Sequence, residues 1–121
     1  MTPNYADEVN AAASNITDAT VKAKALKVAQ IPTFTWFDAV AKVPTLGDYL
    51  ADAEAKQKST GQKQLVQIVV YDLPDRDCAA LASNGEFSIV DDGVNKYKDY
   101  IDQLAAQIQS TFCSALLLGE A

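Results

Sequence analysis

The sequence predicts an α/β domain in which helices flank a short parallel sheet. Two short runs, 33–37 and 65–70, are rich in β-branched and aromatic or aliphatic residues, as strands are. The segments around them carry apolar residues at the helical period of 3.6. Strands that alternate with helices form parallel sheets through right-handed crossovers, so the expected order is helix, helix, strand, helix, strand, helix.

Two helices are predicted before the first strand. Residues 4–15 carry apolar side chains at helical spacing, and Asp18 can cap a second helix that ends before Pro32. Lysines occupy much of the second helix, and we interpret them as a solvated face. The first strand, 33–37, then follows directly.

In the second half of the chain, the sequence predicts a helix, a strand and a second helix. Residues 44–59 form the first of these, with Thr45 as its N-cap and Gly61 as its stop. The run 65–70 has almost no polar alternation, which indicates a parallel strand buried on both faces. Residues 94–109 show the clearest helical period in the sequence.

Length and charge restrict the class of protein. The 121 residues suffice for one domain at most, and 49% apolar content is typical of a globular chain. A net charge of −6 and a pI near 4.4 argue against a nucleic-acid or anionic-membrane partner. No stretch approaches the roughly 20 apolar residues of a membrane helix. The first residues also lack the basic and apolar segments of a secretory signal.

The densest cluster of polar residues follows the second strand. Pro74 stops the strand, and Asp72, Asp75, Arg76 and Asp77 fall within six positions. The carboxyl ends of strands are where α/β folds bind ligands. Arg76 is the only arginine and lies between two aspartates, which suggests a guanidinium that orients a carboxylate. The alternative is a charged surface turn with a solvated ion pair.

This run resembles the signature of glycoside hydrolase family 6, the cellulases that act on β-1,4-glucan. The matching residues are Val69, Tyr71, Pro74, Arg76, Asp77, Cys78 and Ala79. Residues 31–38 and 82–88 are also similar to the family, and the resemblance extends from about residue 4 to 109, leaving 110–121 as a divergent tail. It implies that residues 1–121 are part of a catalytic domain. The implied fold is an incomplete distorted (β/α) TIM-like barrel, since such barrels take about 250 residues.

The resemblance implies catalytic roles for four residues. Asp77 would be the carboxylate that raises the pKa of the proton-donating acid and stabilises the oxocarbenium-like transition state, and Arg76 would orient it. Tyr71 would place its hydroxyl against the sugar ring at the cleaved bond. Ser83, in the long polar loop after the signature, would help to place the attacking water. From the residues alone, 83–85 also suits an ordinary turn.

Two residues at the end of the first strand are candidates for substrate binding. Trp36, the only tryptophan, offers a flat ring on which the C–H face of a sugar can stack. The residues alone leave it equally a core side chain, and the resemblance favours a sugar subsite. Asp38 is a possible cleft residue. Cys78 matches a disulfide cysteine of the family whose partner is absent from this sequence, and Cys113 does not match that partner.

The implied activity is inverting hydrolysis of β-1,4-glucosidic bonds in cellulose, without a cofactor or metal. The family's general acid is the aspartate of a Glu-Pro-Asp-Ser motif, which this sequence lacks, and Glu120 has no comparable surroundings. We therefore expect the 121-residue chain alone to be inactive. The alternatives are a non-catalytic glucan-binding remnant that keeps Trp36, Tyr71 and Ser83, and a structural α/β module with surface aspartates.

The resemblance also implies a secreted parent enzyme that is a monomer when complete. Its partner would be cellulose or a cello-oligosaccharide, with no nucleic acid and no membrane. Because two strands cannot close a barrel, strand 65–70 would keep an unpaired apolar edge, which favours aggregation.

Overall fold

The computed structural model describes residues 3–77, 79–80 and 83–111. Over these residues the chain forms α1 (Pro3–Ser14), α2 (Ala19–Val28), β1 (Thr35–Phe37), α3 (Pro44–Thr60), β2 (Ile68–Val70) and α4 (Gly93–Gln109), with short 3-10 helices at Val40–Lys42 and Ile89–Asp91. The strands β1 and β2 pair in a two-stranded parallel sheet. The predicted α/β class and its short parallel sheet are therefore confirmed.

The chain divides into two compact units, Met1–Thr35 and Trp36–Ala121. In the first unit α1 and α2 pack against each other. Asp18 caps α2 as predicted, because its carboxylate accepts a hydrogen bond from the backbone N–H of Val21 at 2.9 Å. None of the described helices has the length and apolar character needed to cross a bilayer.

The second unit has an apolar core between its two long helices and the sheet. Its buried members are Phe37, Val43, Leu46, Leu50, Ala53, Val66, Ile68, Phe87, Tyr100 and Leu104. Tyr100 is fully buried, and its hydroxyl donates a hydrogen bond to the Phe37 carbonyl at 2.6 Å. Burial raises the pKa of Tyr100 well above its ordinary value, so the hydroxyl keeps its proton. This bond ties α4 to the carboxyl end of β1 and so fixes the helix beside the strand ends.

Only one of the two residues predicted to mark the ends of α3 does so in the structure. Gly61 terminates the helix as predicted, in the left-handed conformation at φ 70°, and its N–H bonds the Gln57 carbonyl. The predicted N-cap is wrong: Val43 occupies that position, Pro44 follows it, and the Thr45 hydroxyl donates instead to the Lys42 carbonyl at 2.7 Å. Proline suits the first helical position because an N–H there would be unpaired and because its fixed φ is already helical, so Pro44 rather than a capping side chain marks the start of α3.

The second strand is shorter than the sequence predicts. β2 spans Ile68–Val70, and Leu65, expected inside the strand, is 51% exposed. A strand buried on both faces needs neighbours on both sides, and among the described residues β2 pairs only with β1. The described part of the chain therefore leaves the outer edge of β2 unpaired.

Candidate active site

The polar residues after β1 and β2 meet in one cleft because parallel strands bring their carboxyl ends to the same edge of a sheet. The ladder continues past β2, where the Tyr71 N–H donates to the Phe37 carbonyl at 2.9 Å. The cleft has a volume of about 310 Å³ and is lined by Trp36, Asp38, Tyr71, Arg76, Asp77, Ser83 and Asn84. It thus brings together all six residues predicted from the resemblance to have a catalytic or binding role.

Trp36, Tyr71 and Asp77 form a connected group on the cleft wall. The Tyr71 hydroxyl donates a hydrogen bond to Asp77 Oδ2 at 3.0 Å. The rings of Trp36 and Tyr71 make an edge-to-face contact with centroids 5.3 Å apart. Trp36 is 52% exposed, so it is not a core residue within the described part of the chain. The hydrogen bond to Asp77, together with burial, raises the pKa of Tyr71, so the phenol stays protonated at neutral pH.

The turn that carries Asp77 has an unusual backbone. Asp75 and Asp77 adopt left-handed conformations with φ of 56° and 51°. Aspartate tolerates this region better than most residues because its short side chain can bond nearby backbone groups. The Asp75 N–H donates to the Phe87 carbonyl at 2.9 Å, and its carboxylate accepts from the Ile89 N–H at 3.4 Å. These bonds attach the turn to the loop that precedes α4.

Arg76 points inward from this turn. Its Nη1 donates to the Tyr71 carbonyl, and its Nη2 donates to the Asp38 carbonyl at 2.8 Å. Nε lies 3.6 Å from Asp72 Oδ1, and the guanidinium carbon lies 4.9 Å from the centroid of the Tyr71 ring. Within the described residues Arg76 makes no hydrogen bond or ion pair with Asp77. Arg76 therefore contacts Asp77 only indirectly, through the backbone between them and through Tyr71, which lies under the guanidinium and donates to Asp77.

Asp72 is the residue that sequence reasoning left without a role. It is fully buried, and no N–H or hydroxyl group donates to either carboxyl oxygen, but the Glu86 carboxyl is close enough to share a proton with it. Burial raises the pKa of Asp72 to about 6, with the nearby charge of Glu86 adding to the shift and Arg76 opposing it. The available signal was an acid placed two residues after an apolar strand, with an arginine four residues later.

Asp38 and Ser83 lie on the exposed side of the cleft. Burial alone would raise the pKa of Asp38, but its bond to Lys42 at 2.5 Å and that lysine's charge outweigh burial and lower the pKa. Asp38 therefore stays ionised. The Ser83 hydroxyl makes a long contact with the Ala80 carbonyl at 3.5 Å and is exposed to solvent. The predicted disulfide residue Cys78 lies outside the described residues.

A metal ion has no obvious ligands in the described part of the chain. No group of three or more His, Cys, Asp and Glu side chains there has the arrangement that could hold one. The chemistry available in the cleft comes from an exposed indole, a phenol, a hydroxyl, an amide and carboxylates, and from a guanidinium that is already bonded to two backbone carbonyls. This set suits a neutral, hydroxyl-rich ligand with apolar ring faces.

The raised pKa of Asp72 predicts a specific dependence of stability on pH. Because the folded pKa of about 6 exceeds the ordinary aspartate pKa of 3.8, the folded state binds this proton more tightly than the unfolded state. The resulting stabilisation is present below about pH 4 and is lost as pH rises through 6. Measured against Asp72→Asn, the wild-type chain should gain on the order of 1–3 kcal/mol in free energy of unfolding between pH 7 and pH 4.5.

Urea unfolding of both chains at several pH values measures this difference. The comparison cancels the titration of the groups that do not interact with position 72, so the difference reports Asp72 together with its neighbour Glu86. Asp99→Asn, an exposed position on α4, is the matched control and should follow the wild-type curve. Parallel curves for wild type and Asp72→Asn would contradict the prediction.

Comparison with known proteins decides the family. The family model for glycosyl hydrolases family 6 matches residues 1–118. The chain belongs to this family. It is 65% identical over 109 residues to exoglucanase 3 of Agaricus bisporus, and 52% identical over 107 residues to a probable 1,4-β-D-glucan cellobiohydrolase C of Aspergillus fumigatus. These alignments cover 90% and 88% of the chain but only 24% of each relative.

Solved family 6 structures share this fold over nearly the whole chain. The CcCel6A catalytic domain complexed with p-nitrophenyl β-D-cellotrioside is 63% identical, with a TM-score of 0.86. Cellobiohydrolase II (Cel6A) from Humicola insolens, in complex with glucose and cellotetraose, is 40% identical with a TM-score of 0.85. Each match covers 96% of this chain and 33% of the solved one. The chain thus spans about a quarter of its curated relatives and a third of these family 6 structures.

Proposed function

We propose that this chain supplies the sugar-binding wall of the active site of an inverting β-1,4-glucanase. The observation that carries the proposal is the exposed Trp36 ring beside the hydrogen-bonded pair of Tyr71 and Asp77. An indole can stack on the C–H face of a glucose ring while the phenol and carboxylate face its reacting edge. The names of the relatives, 1,4-β-D-glucan cellobiohydrolases, support cellulose and cello-oligosaccharides as the substrate class.

In this proposal Asp77 is the ionised neighbour of the general acid. Its negative charge would raise the pKa of that acid and stabilise the positive charge that develops on the sugar ring. Tyr71, held 3.0 Å from Asp77, would press against the ring at the cleaved bond and favour a distorted sugar. Ser83, which also lines the cleft, would help to place the attacking water, which inversion requires on the far face of the ring.

The two-stranded sheet would be the first part of a distorted (β/α) barrel. The unpaired outer edge of β2 and the family membership support this arrangement. In such barrels the residues at the carboxyl ends of successive strands build one active site. The complete enzyme would be a secreted monomer, as the resemblance implies, and the general acid would come from a strand outside these residues.

A non-catalytic glucan-binding remnant is the second candidate function. The observation that favours it is that Trp36 and Tyr71 already form an exposed platform within these residues. Sugar binding is expected for both candidate functions. Hydrolysis is expected only for the complete enzyme, so an activity measurement on the complete protein distinguishes the two.

Removing the Trp36 ring is expected to weaken sugar binding. Trp36→Ala should bind cellotetraose about tenfold or more weakly, since a lost stacking surface of this size exceeds roughly 1.4 kcal/mol. Isothermal titration calorimetry measures this without relying on tryptophan fluorescence. Val90→Ala, at an 88% exposed position outside the residues that line the cleft, is the control and should bind like the wild type. A folded wild-type chain that does not bind cellotetraose would contradict the proposal.

A further inference from the structure

Arg76 joins three segments of the second unit that are separate in sequence. Its two bonds to the carbonyls of Asp38 and Tyr71 connect the ends of β1 and β2. Gly85 brings the cleft loop against the same side chain, since a Cβ on Gly85 would lie 2.8 Å from Arg76 Nε and 2.9 Å from Cγ. Contacts below 3.0 Å cannot be tolerated without movement, so the loop can approach this closely only with glycine at position 85.

Asp72 supplies the negative charge that holds the guanidinium in this position. The side chains of Arg76 and Asp72 are 12% and 0% exposed, and Nε lies 3.6 Å from Oδ1. Within the described residues Nε has no hydrogen-bond acceptor, and no N–H or hydroxyl group donates to the Asp72 oxygens. Buried polar atoms are nearly always bonded, so an exception requires a reason. Here the carboxylate attracts the guanidinium by charge and leaves both Nη donors free for the two backbone carbonyls.

The position of Arg76 determines both ends of the bond between Tyr71 and Asp77. One Nη fixes the Tyr71 carbonyl, and the backbone continues from Arg76 directly into Asp77 at φ 51°. The preceding residue, Asp75, is anchored by its bond to the Phe87 carbonyl. A shift of the guanidinium would therefore move the phenol and its acceptor relative to each other.

We propose that Asp72 and Gly85 are positioning residues, which confine Arg76 so that Tyr71 and Asp77 stay hydrogen-bonded and face the cleft. Neither touches the ligand, because Asp72 is fully buried and neither residue lines the cleft. The inference rests on the proposed function for its effect on sugar binding. The geometry of the Tyr71 and Asp77 pair can be tested without a ligand.

The test compares the full chain with Asp72→Asn and Gly85→Ala at pH 7.5, using tyrosine labelled with ¹³C at Cζ. Tyr71→Phe assigns the Tyr71 resonance, and Asp77→Asn gives its position when the carboxylate acceptor is removed. Both test variants should move the Tyr71 resonance most of the way to the Asp77→Asn position. Both should also weaken cellotetraose binding about fivefold or more. Asp72→Asn keeps the shape of the side chain, so its effect reports the lost charge.

A core variant separates positioning from general destabilisation. Leu104→Ala creates a cavity in α4, away from the cleft lining, and should lower the melting temperature while leaving the Tyr71 resonance in place. Unchanged Tyr71 resonances in folded Asp72→Asn and Gly85→Ala would overturn the inference, as would an equal shift in Leu104→Ala. If one test variant does not fold, the other decides. Resonance shifts without cellotetraose binding by the wild type would support the positioning role and reject the proposed function.

Discussion

Arg76→Ala is expected to lower the free energy of unfolding by about 3–5 kcal/mol at pH 7.5, because it leaves a buried charge without its partner. Asp72 is fully buried, and Arg76 is the one cation paired with it within the described residues. The variant also removes two hydrogen bonds to the carbonyls at the ends of β1 and β2. A domain of this size has only about 5–15 kcal/mol in total, so the melting temperature should fall by about 10 °C or more.

The cause can be identified from two companion measurements. Without Arg76, Asp72 can escape its unpaired charge by taking up a proton, so the loss in Arg76→Ala should shrink as pH falls from 7.5 to 5. Adding Asp72→Asn to Arg76→Ala should recover part of the loss at pH 7.5. Arg76→Lys should fall between alanine and the wild type, because it keeps a charge but loses the planar fork.

Lys42→Ala is the matched control for removing a cation. Lys42 pairs with Asp38, but the two side chains are 52% and 37% exposed, so the pair should contribute only about 0–1 kcal/mol. If Lys42→Ala and Arg76→Ala lowered the free energy of unfolding equally, the burial of Asp72 would not explain the loss of stability in Arg76→Ala. Thermal and urea unfolding followed by circular dichroism measure all of these variants on one scale.

The fold class could be predicted because its signals are local. Asp18 caps α2 and Gly61 ends α3 through bonds to residues three or four positions away, and neither depends on the rest of the chain. Alternation of strands and helices along the chain then predicts a parallel sheet with right-handed crossovers. The ends of β2 were harder to predict, because a strand extends only as far as a neighbouring strand pairs with it.

The buried face of α4 was predicted only in part. Leu104 is buried as the apolar period indicates, but Val94 and Ile101 are exposed and Tyr100 is the fully buried residue. A tyrosine fits either side of an amphipathic helix, so the pattern could not place it. Ile101 instead borders an apolar groove of about 200 Å³ that also includes Val70 of β2. The helix therefore has more apolar surface than the described residues cover.

The sequence predicted which residues form the site, but it did not predict the hydrogen bonds and ion pairs that they make. Strand order and the signature placed Tyr71, Arg76 and Asp77 at one edge of the sheet. Arg76 lies between Asp75 and Asp77, which both have a left-handed backbone, and it points inward, toward backbone carbonyls and Asp72. The amino-acid pattern does not predict this backbone conformation. Partner choice for a long side chain depends on tertiary distances, which a single sequence does not contain.

A polypeptide of these 121 residues is expected to release no product from cellotetraose above the rate in buffer. General acid catalysis typically raises the rate by a factor of about 10² to 10⁴. The acid must be both protonated and within reach of the glycosidic oxygen. Asp72 has a raised pKa of about 6 but is fully buried, so it cannot touch the substrate. Asp38 is accessible, but its pKa is lowered by Lys42 despite the opposing effect of burial. Neither meets both conditions.

Chromatography of cello-oligosaccharides after prolonged incubation measures the rate, with a complete family 6 cellobiohydrolase as the positive control. Asp77→Ala is the matched variant, since Asp77 lines the cleft and is the proposed charge partner of the acid. Turnover by the chain that is lost in Asp77→Ala would contradict the expectation, because it would place a working acid within these residues. Turnover that persists in Asp77→Ala would come from a contaminating glycosidase. Binding without turnover would mean that Trp36 and Tyr71 recognise the sugar independently of the group that protonates the leaving oxygen.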